Sequence, residues 1–310
     1  MSAISTANRR TLQSALTLFV VLGLTLTEAV IAQDDVDETP EMRKIRQEFE
    51  NTVTDLKGFR QQNNNVAEIN VGLTDAGMKE LSECNTLWAL TLYGVKLPPT
   101  GLKGLGRLKK LKELDIFAAP VTDADLSEIK VLSNLTSLRL GSSRSAITDA
   151  GLRELQPLKN LVTLRLGYAH MTDAGLTELR GFQKLTKLSV NHTRITDGGL
   201  KQLCQHKNLK DLDLSGTKIT DAGLKELRGL ANLARLDLRE TAITDAGLKE
   251  LSQDTNLTEL VLINTPITDR GIQELGRLKK LTALWLDKTK TTDAAVARLG
   301  KALPNARIVR

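Results

Sequence analysis

LKDLDLSGTKITDAGLKELRGLAN occupies residues 209–232, and LARLDLRETAITDAGLKELSQDTN follows without a break at 233–256. The two blocks differ mainly at polar positions. The Thr-Asp pair marks further copies at Thr148-Asp149, Thr172-Asp173, Thr196-Asp197, Thr220-Asp221, Thr244-Asp245, Thr268-Asp269 and Thr292-Asp293, each 24 residues from the next. Upstream, Thr122-Asp123 sits 26 residues before Thr148. Thr74-Asp75 lies 48 before Thr122, with Pro98-Pro99 where the middle pair is due. A fixed period of this length predicts a solenoid, a stack of like units.

Within the block that starts at Leu209, Leu212 and Leu214 alternate with Asp211, Asp213 and Ser215, the period of a short strand. Leu224, Leu227 and Leu230 follow at spacings of three, which suits a helical or 3₁₀ turn. Thr220 is placed to cap that turn, and Asp221 puts negative charge at its start. Gly223 marks tight packing or an unusual backbone angle. One unit buries a single row of leucines and cannot form a core alone. Stacking predicts a parallel sheet on one face and helices on the other.

The pattern LxxLxLxxTxITDAGLKEL resembles the leucine-rich repeat family, in particular its ribonuclease-inhibitor-like and cysteine-containing subtypes, which share the ITDxGL turn. Thr217, Thr241, Thr265 and Thr289 stand where that family usually has Asn or Cys. This threonine version is similar to repeats abundant in secreted bacterial proteins, planctomycetes in particular. The resemblance spans about residues 66–310, roughly ten units. It implies an α/β solenoid, a curved right-handed superhelix with its sheet on the concave face and its helices on the convex one. Activity does not follow from it, because function on a repeat scaffold lives in grafted surface residues.

Aromatics make up 3% of the chain, so the core is aliphatic. The net charge of +6 is spread along the chain and reads as solubility, with no nucleic-acid footprint. The basic runs Arg107–Lys112 and Arg277–Lys280 read as solvated stretches of the convex, helical side. Cys84 and Cys204 are 120 residues apart, five periods. At about 4.8 Å per strand that is about 24 Å, too far for a disulfide. Cys84 falls at a core leucine position and reads as a buried small apolar residue; Cys204 falls nearer the surface.

Residues 1–32 resemble an export signal: Arg9-Arg10, an apolar stretch from Ala15 to Leu26, and Val30-Ile31-Ala32 before Gln33. The alternative is a single N-terminal membrane anchor, for which the apolar stretch is short. Residues 33–65 comprise an acidic segment and a helix opened by Thr39-Pro40-Glu41. Its apolar face, Met42, Ile45, Phe49, Val53 and Leu56, is suited to cover the end of the stack. The first repeat has Val66, Ile69 and Val71 as its strand. Gly141–Ala146 carries two extra residues that should bulge, and Ala306–Val309 should form a last strand.

The strand positions between the leucines face inward, where partners of this family usually bind. One column reads Lys187, Asp211, Arg235, Glu259, which predicts a cross-strand charge ladder. The next holds Arg139, Arg165, Asp213, Asp237 and Trp285. Asp213 and Asp237 are neighbours, but Arg235 and Arg239 are close enough to neutralise them and the site reads as open to water. No nucleophile, metal cluster or pocket accompanies them, and no enzyme is expected. The scarce aromatics say more: Tyr93 and Phe117 share a column in adjacent repeats, Trp285 points inward, and Tyr168 ends a strand. His170, His192 and Asn191 lack a third strong metal ligand, and His206 reads as a packed histidine. The candidate partner-binding set is therefore Tyr93, Phe117, Arg139, Arg165, Tyr168, Asp213, Asp237, Arg239 and Trp285, with no metal or cofactor. The sequence points to an exported, non-enzymatic protein that binds a protein partner along its concave face. The alternatives are a structural, self-associating envelope protein and a polysaccharide binder.

Overall fold

The computed structural model describes residues 60–62, 66–69, 73–253 and 256–310. The leader, the acidic segment, the amphipathic helix before residue 60, and Val71 lie outside the described residues. The described strands form one sheet of twelve, in sequence order. The first, Arg60–Gln62, is antiparallel to Val66–Ile69. From Val66–Ile69 onward every strand is parallel to the next, as far as Arg307–Val309. The register is in phase: Leu188, Leu212, Leu236, Leu260 and Leu284 lie side by side across five strands.

Helical segments join the strands, and the leucines of both elements meet between them. In the block from Leu209, residues Leu209, Leu212, Leu214, Ile219, Leu224, Leu227 and Leu230 are all buried. The buried threonines Thr193, Thr217, Thr241 and Thr265 each donate a hydroxyl to the carbonyl three residues back, at 2.6 Å. Each closes the turn after its own strand, so the threonine serves its own repeat and not its neighbour.

The Thr-Asp pair divides its labour. The threonine hydroxyl accepts the amide two residues on, at 3.2–3.4 Å, which caps the helical turn. The aspartate serves a different repeat. In seven successive pairs, from Asp123 to Asp269, one carboxylate oxygen accepts the backbone N–H of the next repeat's threonine at 2.6–2.9 Å. The other accepts that threonine's hydroxyl at 2.5–2.7 Å. Charge-assisted bonds of this kind are the stronger class, and here they staple each unit to its neighbour. The Thr292 hydroxyl and amide hold the Asp269 carboxyl below the usual carboxylate range. Its contribution is complete above the unfolded carboxylate value and is lost as acid protonates it in the fold.

The glycine of the motif makes room for the staple. A Cβ on Gly223 would lie 2.3 Å from Asp197 Oδ1, and one on Gly247 2.3 Å from Asp221 Oδ1. Of the two sequence expectations for Gly223, tight packing is the correct one, since its φ is not positive. The last such position holds Ala295, and there the cap shifts: Thr292 accepts from the amide three residues on, at 3.2 Å. Asp293, with no further repeat among the described residues, pairs with Arg310.

The irregular units find other solutions. The Pro98-Pro99 repeat has a short 3₁₀ turn, Leu105–Arg107, with no side-chain cap. Asp125 of the next repeat compensates: buried, it takes the N–H of Leu102 at 2.9 Å and both the amide and hydroxyl of Thr122 at 2.8 Å. In the long loop Ser142 and Ser145 turn inward, and the Ser145 hydroxyl reaches the Val121 carbonyl at 3.1 Å. Only Ser143, Arg144 and Ala146 of that loop are exposed. Two expectations need correction. Cys84 is only half-buried, its thiol on the Glu80 carbonyl at 3.6 Å and pushed up by burial. The basic runs lie where the 3₁₀ turns give way to strands, along the sheet's edge, because Leu105–Arg107 and Leu275–Arg277 end there.

His206 occupies the column of Phe182 and Leu230, and is buried as they are. Burial pushes its pKa down. The Phe182 backbone pulls the other way, yet neither ring nitrogen reaches a partner at hydrogen-bond geometry. The unfolded chain therefore takes up this proton first as pH falls below about 6.5, and stability declines from there downward. His206→Leu should stabilise the protein by about 1–3 kcal/mol at neutral pH, since two unsatisfied polar atoms leave the core. Urea titrations at pH 7 and 5.5 check it, the gain being larger at the lower pH.

Candidate functional site

The exposed side chains of the sheet fall into columns set by the register. In the column that ends the strands, Tyr93 pairs with Phe117 and Phe117 with Gly141. The two rings stack with centroids 5.5 Å apart and planes at 14°, within the favourable range for an aromatic pair. Both remain open, Tyr93 at 53% and Phe117 at 43% exposed. Gly141 continues the row with no side chain, and a Cβ there would meet the Phe117 ring at an ordinary contact distance of 3.5 Å.

The next residue is left-handed in eight units, the unit with the long loop at Ser142 being the exception. Gly94, Ala118, Tyr168, His192, Gly216, Glu240, Asn264 and Lys288 all have φ between 54° and 65°. For a tyrosine this costs about 1–2 kcal/mol. It is held by the backbone: the N–H of Tyr168 donates to Asn191 at 2.9 Å and that of His192 to Ser215 at 2.7 Å. The conformation turns Tyr168 onto His192, centroids 4.5 Å apart and planes at 9°. The His192 ring in turn covers Gly216, where a Cβ would sit 2.3 Å from Nδ1. Two ring pairs thus line the same edge of the sheet, Tyr93–Phe117 and Tyr168–His192. His192 is the member that sequence reading missed; its offset of exactly one period from Tyr168 was the available signal.

Arginines lie inward of the rings. Arg139 Nη1 binds Asp115 Oδ2 at 2.8 Å. Burial raises the Asp115 carboxyl against the downward pull of Arg139. Asp115 Oδ1 and Arg139 Nε are buried without partners, so the pair is not fully satisfied. Arg165, its register neighbour, has no hydrogen-bond or ion-pair partner among the described residues. It lies within Coulombic reach of the Asp115 and Asp211 carboxyls without bonding to either.

The other half of the face neutralises itself. Arg235 reaches Asp211 at 3.5 Å on one side and Glu259 on the other, as the charge ladder predicts. Its guanidinium also lies 5.9 Å from the centroid of half-buried Trp285. Asp213 accepts the hydroxyls of Ser189 at 2.9 Å and Ser215 at 2.6 Å. Asp237 is a correction. It is buried, 2% exposed, and not open to water. Arg239 lies across it, with Nε 3.0 Å from both carboxylate oxygens and Nη2 bonded to Oδ2. Arg235, engaged elsewhere, does not reach it. Of the candidate set, Tyr93, Phe117, Arg165 and Tyr168 are available to a partner, while Arg139, Asp213, Asp237 and Arg239 are committed to bonds within the sheet.

Two open grooves flank the face. One, of about 310 Å³, follows the irregular repeat past Pro98, Pro99, Pro120 and Glu128. The other, of about 510 Å³, lies at the beginning of the strands between Lys184 and Lys210. Among the described residues no group of three or more His, Cys, Asp or Glu could hold a metal ion. No helix among them is long and apolar enough to cross a membrane.

A family model described as "Leucine Rich repeat" matches residues 183–204, 205–227 and 229–252. No curated protein matches the chain. Among solved structures it is similar to an internalin (inlF) from Listeria monocytogenes str. 4b F2365, at 20% identity and a TM-score of 0.45, over 79% of this chain and 86% of that one. An internalin C2 (inlC2) from the same strain is similar at 23% identity and a TM-score of 0.44, over 71% of this chain and 80% of the other.

Proposed function

We propose that this leucine-rich-repeat protein is an exported, non-enzymatic binder that takes a protein partner on the sheet face, along the edge carrying Tyr93, Phe117, Tyr168 and His192. The observation that carries the reading is the two stacked ring couples on one edge, of which Tyr93, Phe117 and Tyr168 are exposed and His192 half-buried. Large aromatic side chains left open on a rigid scaffold are the usual anchors of a binding surface. Arg165 adds a guanidinium with no direct hydrogen bond or ion pair among the described residues, suited to a carboxylate of the partner. The neighbouring charges are already paired, so they contribute shape more than free charge. Export rests on residues 1–32, and cleavage before Gln33 is read directly by mass spectrometry of the mature N-terminus.

Tyr93→Ala with Phe117→Ala should weaken partner binding at least about 30-fold, the equivalent of about 2 kcal/mol. The measurement is affinity capture from an extract of the source organism, followed by titration of the captured partner. The variant should keep its circular dichroism and melting temperature, because both rings are exposed. Undiminished binding would remove this edge as the site. A glycan array with the same variant separates sugar stacking from protein binding, and sedimentation of the chain alone reports self-association.

A further inference from the structure

The opposite edge of the sheet, where the strands begin, carries a row of lysines that nothing above employs. Lys109, Lys110 and Lys112 precede the strand Glu113–Phe117; Lys184 precedes Lys187–Ser189; Lys207 and Lys210 precede Asp211–Asp213. All six are exposed. The bonds their ammonium groups make are to neutral acceptors: Lys109 to the Val131 carbonyl at 3.4 Å, Lys184 to Asn160 Oδ1 at 2.7 Å, and Lys207 to the Gly229 carbonyl at 2.9 Å. None pairs with a carboxylate among the described residues. In-register pairing of the strands keeps the row on one side of the sheet, and the 510 Å³ groove lined by Lys184, Thr186, Asn208, Lys210 and Asn232 opens within it.

Two of the large apolar side chains that the fold leaves exposed lie in the same row. Trp88 is 39% exposed, and its carbonyl accepts the amides of Lys112 and Glu113 at 2.7 and 3.0 Å. Val131 is 48% exposed beside Lys109. Unpaired lysines on flexible stems with an indole among them match the chemistry of a bilayer surface. Anionic headgroups attract the ammonium groups, and tryptophan partitions to the interface. A nucleic-acid groove would instead need repeated stacking platforms, and this row has a single ring near one end.

We propose that this edge docks the protein onto an anionic phospholipid bilayer, with the lysine row against the headgroups and Trp88 seated at the interface. The sheet face with its aromatic edge then remains free for a partner. The proposal is independent of the identity of that partner.

The test is co-sedimentation of the full chain with vesicles of phosphatidylcholine alone and with vesicles containing a quarter phosphatidylserine. Three charge-matched variants are compared. One carries Lys109→Gln, Lys110→Gln and Lys112→Gln; the second carries Lys184→Gln, Lys207→Gln and Lys210→Gln. The third, on the far edge, carries Arg194→Gln, Lys218→Gln and Lys290→Gln. A surface lysine contributes about fivefold to partition onto an anionic bilayer, so each of the first two should lose about 100-fold. The third should change less than about twofold. Partition onto phosphatidylcholine, which reads the apolar N-terminal stretch alone, should be the same for all. In a Trp285→Phe background, Trp88 emission should shift to the blue only with anionic vesicles. Equal losses in all three variants, equal partition onto the two vesicle types, or Trp88 emission that responds to soluble polyphosphate and not to vesicles would each overturn it.

Discussion

Replacing Gly247 by valine is expected to destabilise the stack by about 4 kcal/mol and to divide its unfolding into two steps. The new Cβ would meet Asp221 Oδ1 at 2.3 Å, Leu224 Cδ1 at 2.9 Å and Ile243 Cγ2 at 3.0 Å. Asp221 has little room to retreat, because it holds the amide and hydroxyl of Thr244 at 2.8 and 2.5 Å. The substitution therefore costs packing and strains two charge-assisted bonds. Ala295 shows what one added carbon requires: the Asp269–Thr292 bonds are kept at 2.6 and 2.7 Å, but the turn starts with a displaced cap. A valine between two packed repeats adds two methyl groups to that demand. Units of a solenoid touch only their neighbours, so a weakened interface uncouples the arrays on either side. The two tryptophans of the chain sit on opposite sides of this cut. Trp88 and Trp285 should report separate urea midpoints, measured singly in Trp→Phe backgrounds. A matched control is Gly300→Ala, where a Cβ meets nothing within 4 Å inside the helix Asp293–Ala302; it should stabilise by about 1 kcal/mol. Coincident midpoints and an unchanged stability for Gly247→Val would show that the Asp–Thr staple does not couple the repeats.

The periodic features of this molecule were readable because period and register say the same thing. Leu212 and Leu214, Tyr93 beside Phe117, and Arg235 between Asp211 and Glu259 follow from stepping along the chain in units. Features that cross from one column to another were not readable that way. Asp221 reads as a helix-start charge within its own block, yet its oxygens serve Thr244, 23 residues on. Asp237 reads as exposed beside Asp213, since a column assigns both to the same face. Its burial depends on which way Arg239 folds, two residues along, and a period cannot decide a rotamer. The lysine edge was misplaced for a related reason. Its residues fall at the junction of turn and strand, where no alternation distinguishes an outer face from an edge. The left-handed column was hidden because only Gly94 and Gly216 mark it by residue type; elsewhere the backbone bonds to the next strand impose it on whatever side chain is there.

Arg239→Met should cost about 3 kcal/mol, toward the lower end for a broken buried ion pair. Asp237 is 2% exposed, while the Arg239 side chain is 42% exposed, so water reaches the guanidinium side of the pair and tempers the loss. Methionine keeps an aliphatic cover over the carboxylate and removes the fork that satisfied it. What remains is the backbone N–H of residue 239, now 3.2 Å from Oδ1. Lysine at this position retains the charge without the fork and should cost less, about 1 kcal/mol. The decisive variant is the double one, Asp237→Val with Arg239→Met. The neighbouring strand already carries Val261 in register with Asp237, and it is buried at 3% exposure. An apolar side chain therefore fits this column, and the double variant should return to within about 1 kcal/mol of the parent. Urea unfolding of the four proteins measures the set, with amide exchange at Leu236 and Leu238 locating the change. Recovery in the double variant means that the pair is maintained by the cost of leaving either member alone, with little net stability of its own. A double variant as unstable as Arg239→Met would mean that the pair itself stabilises the sheet.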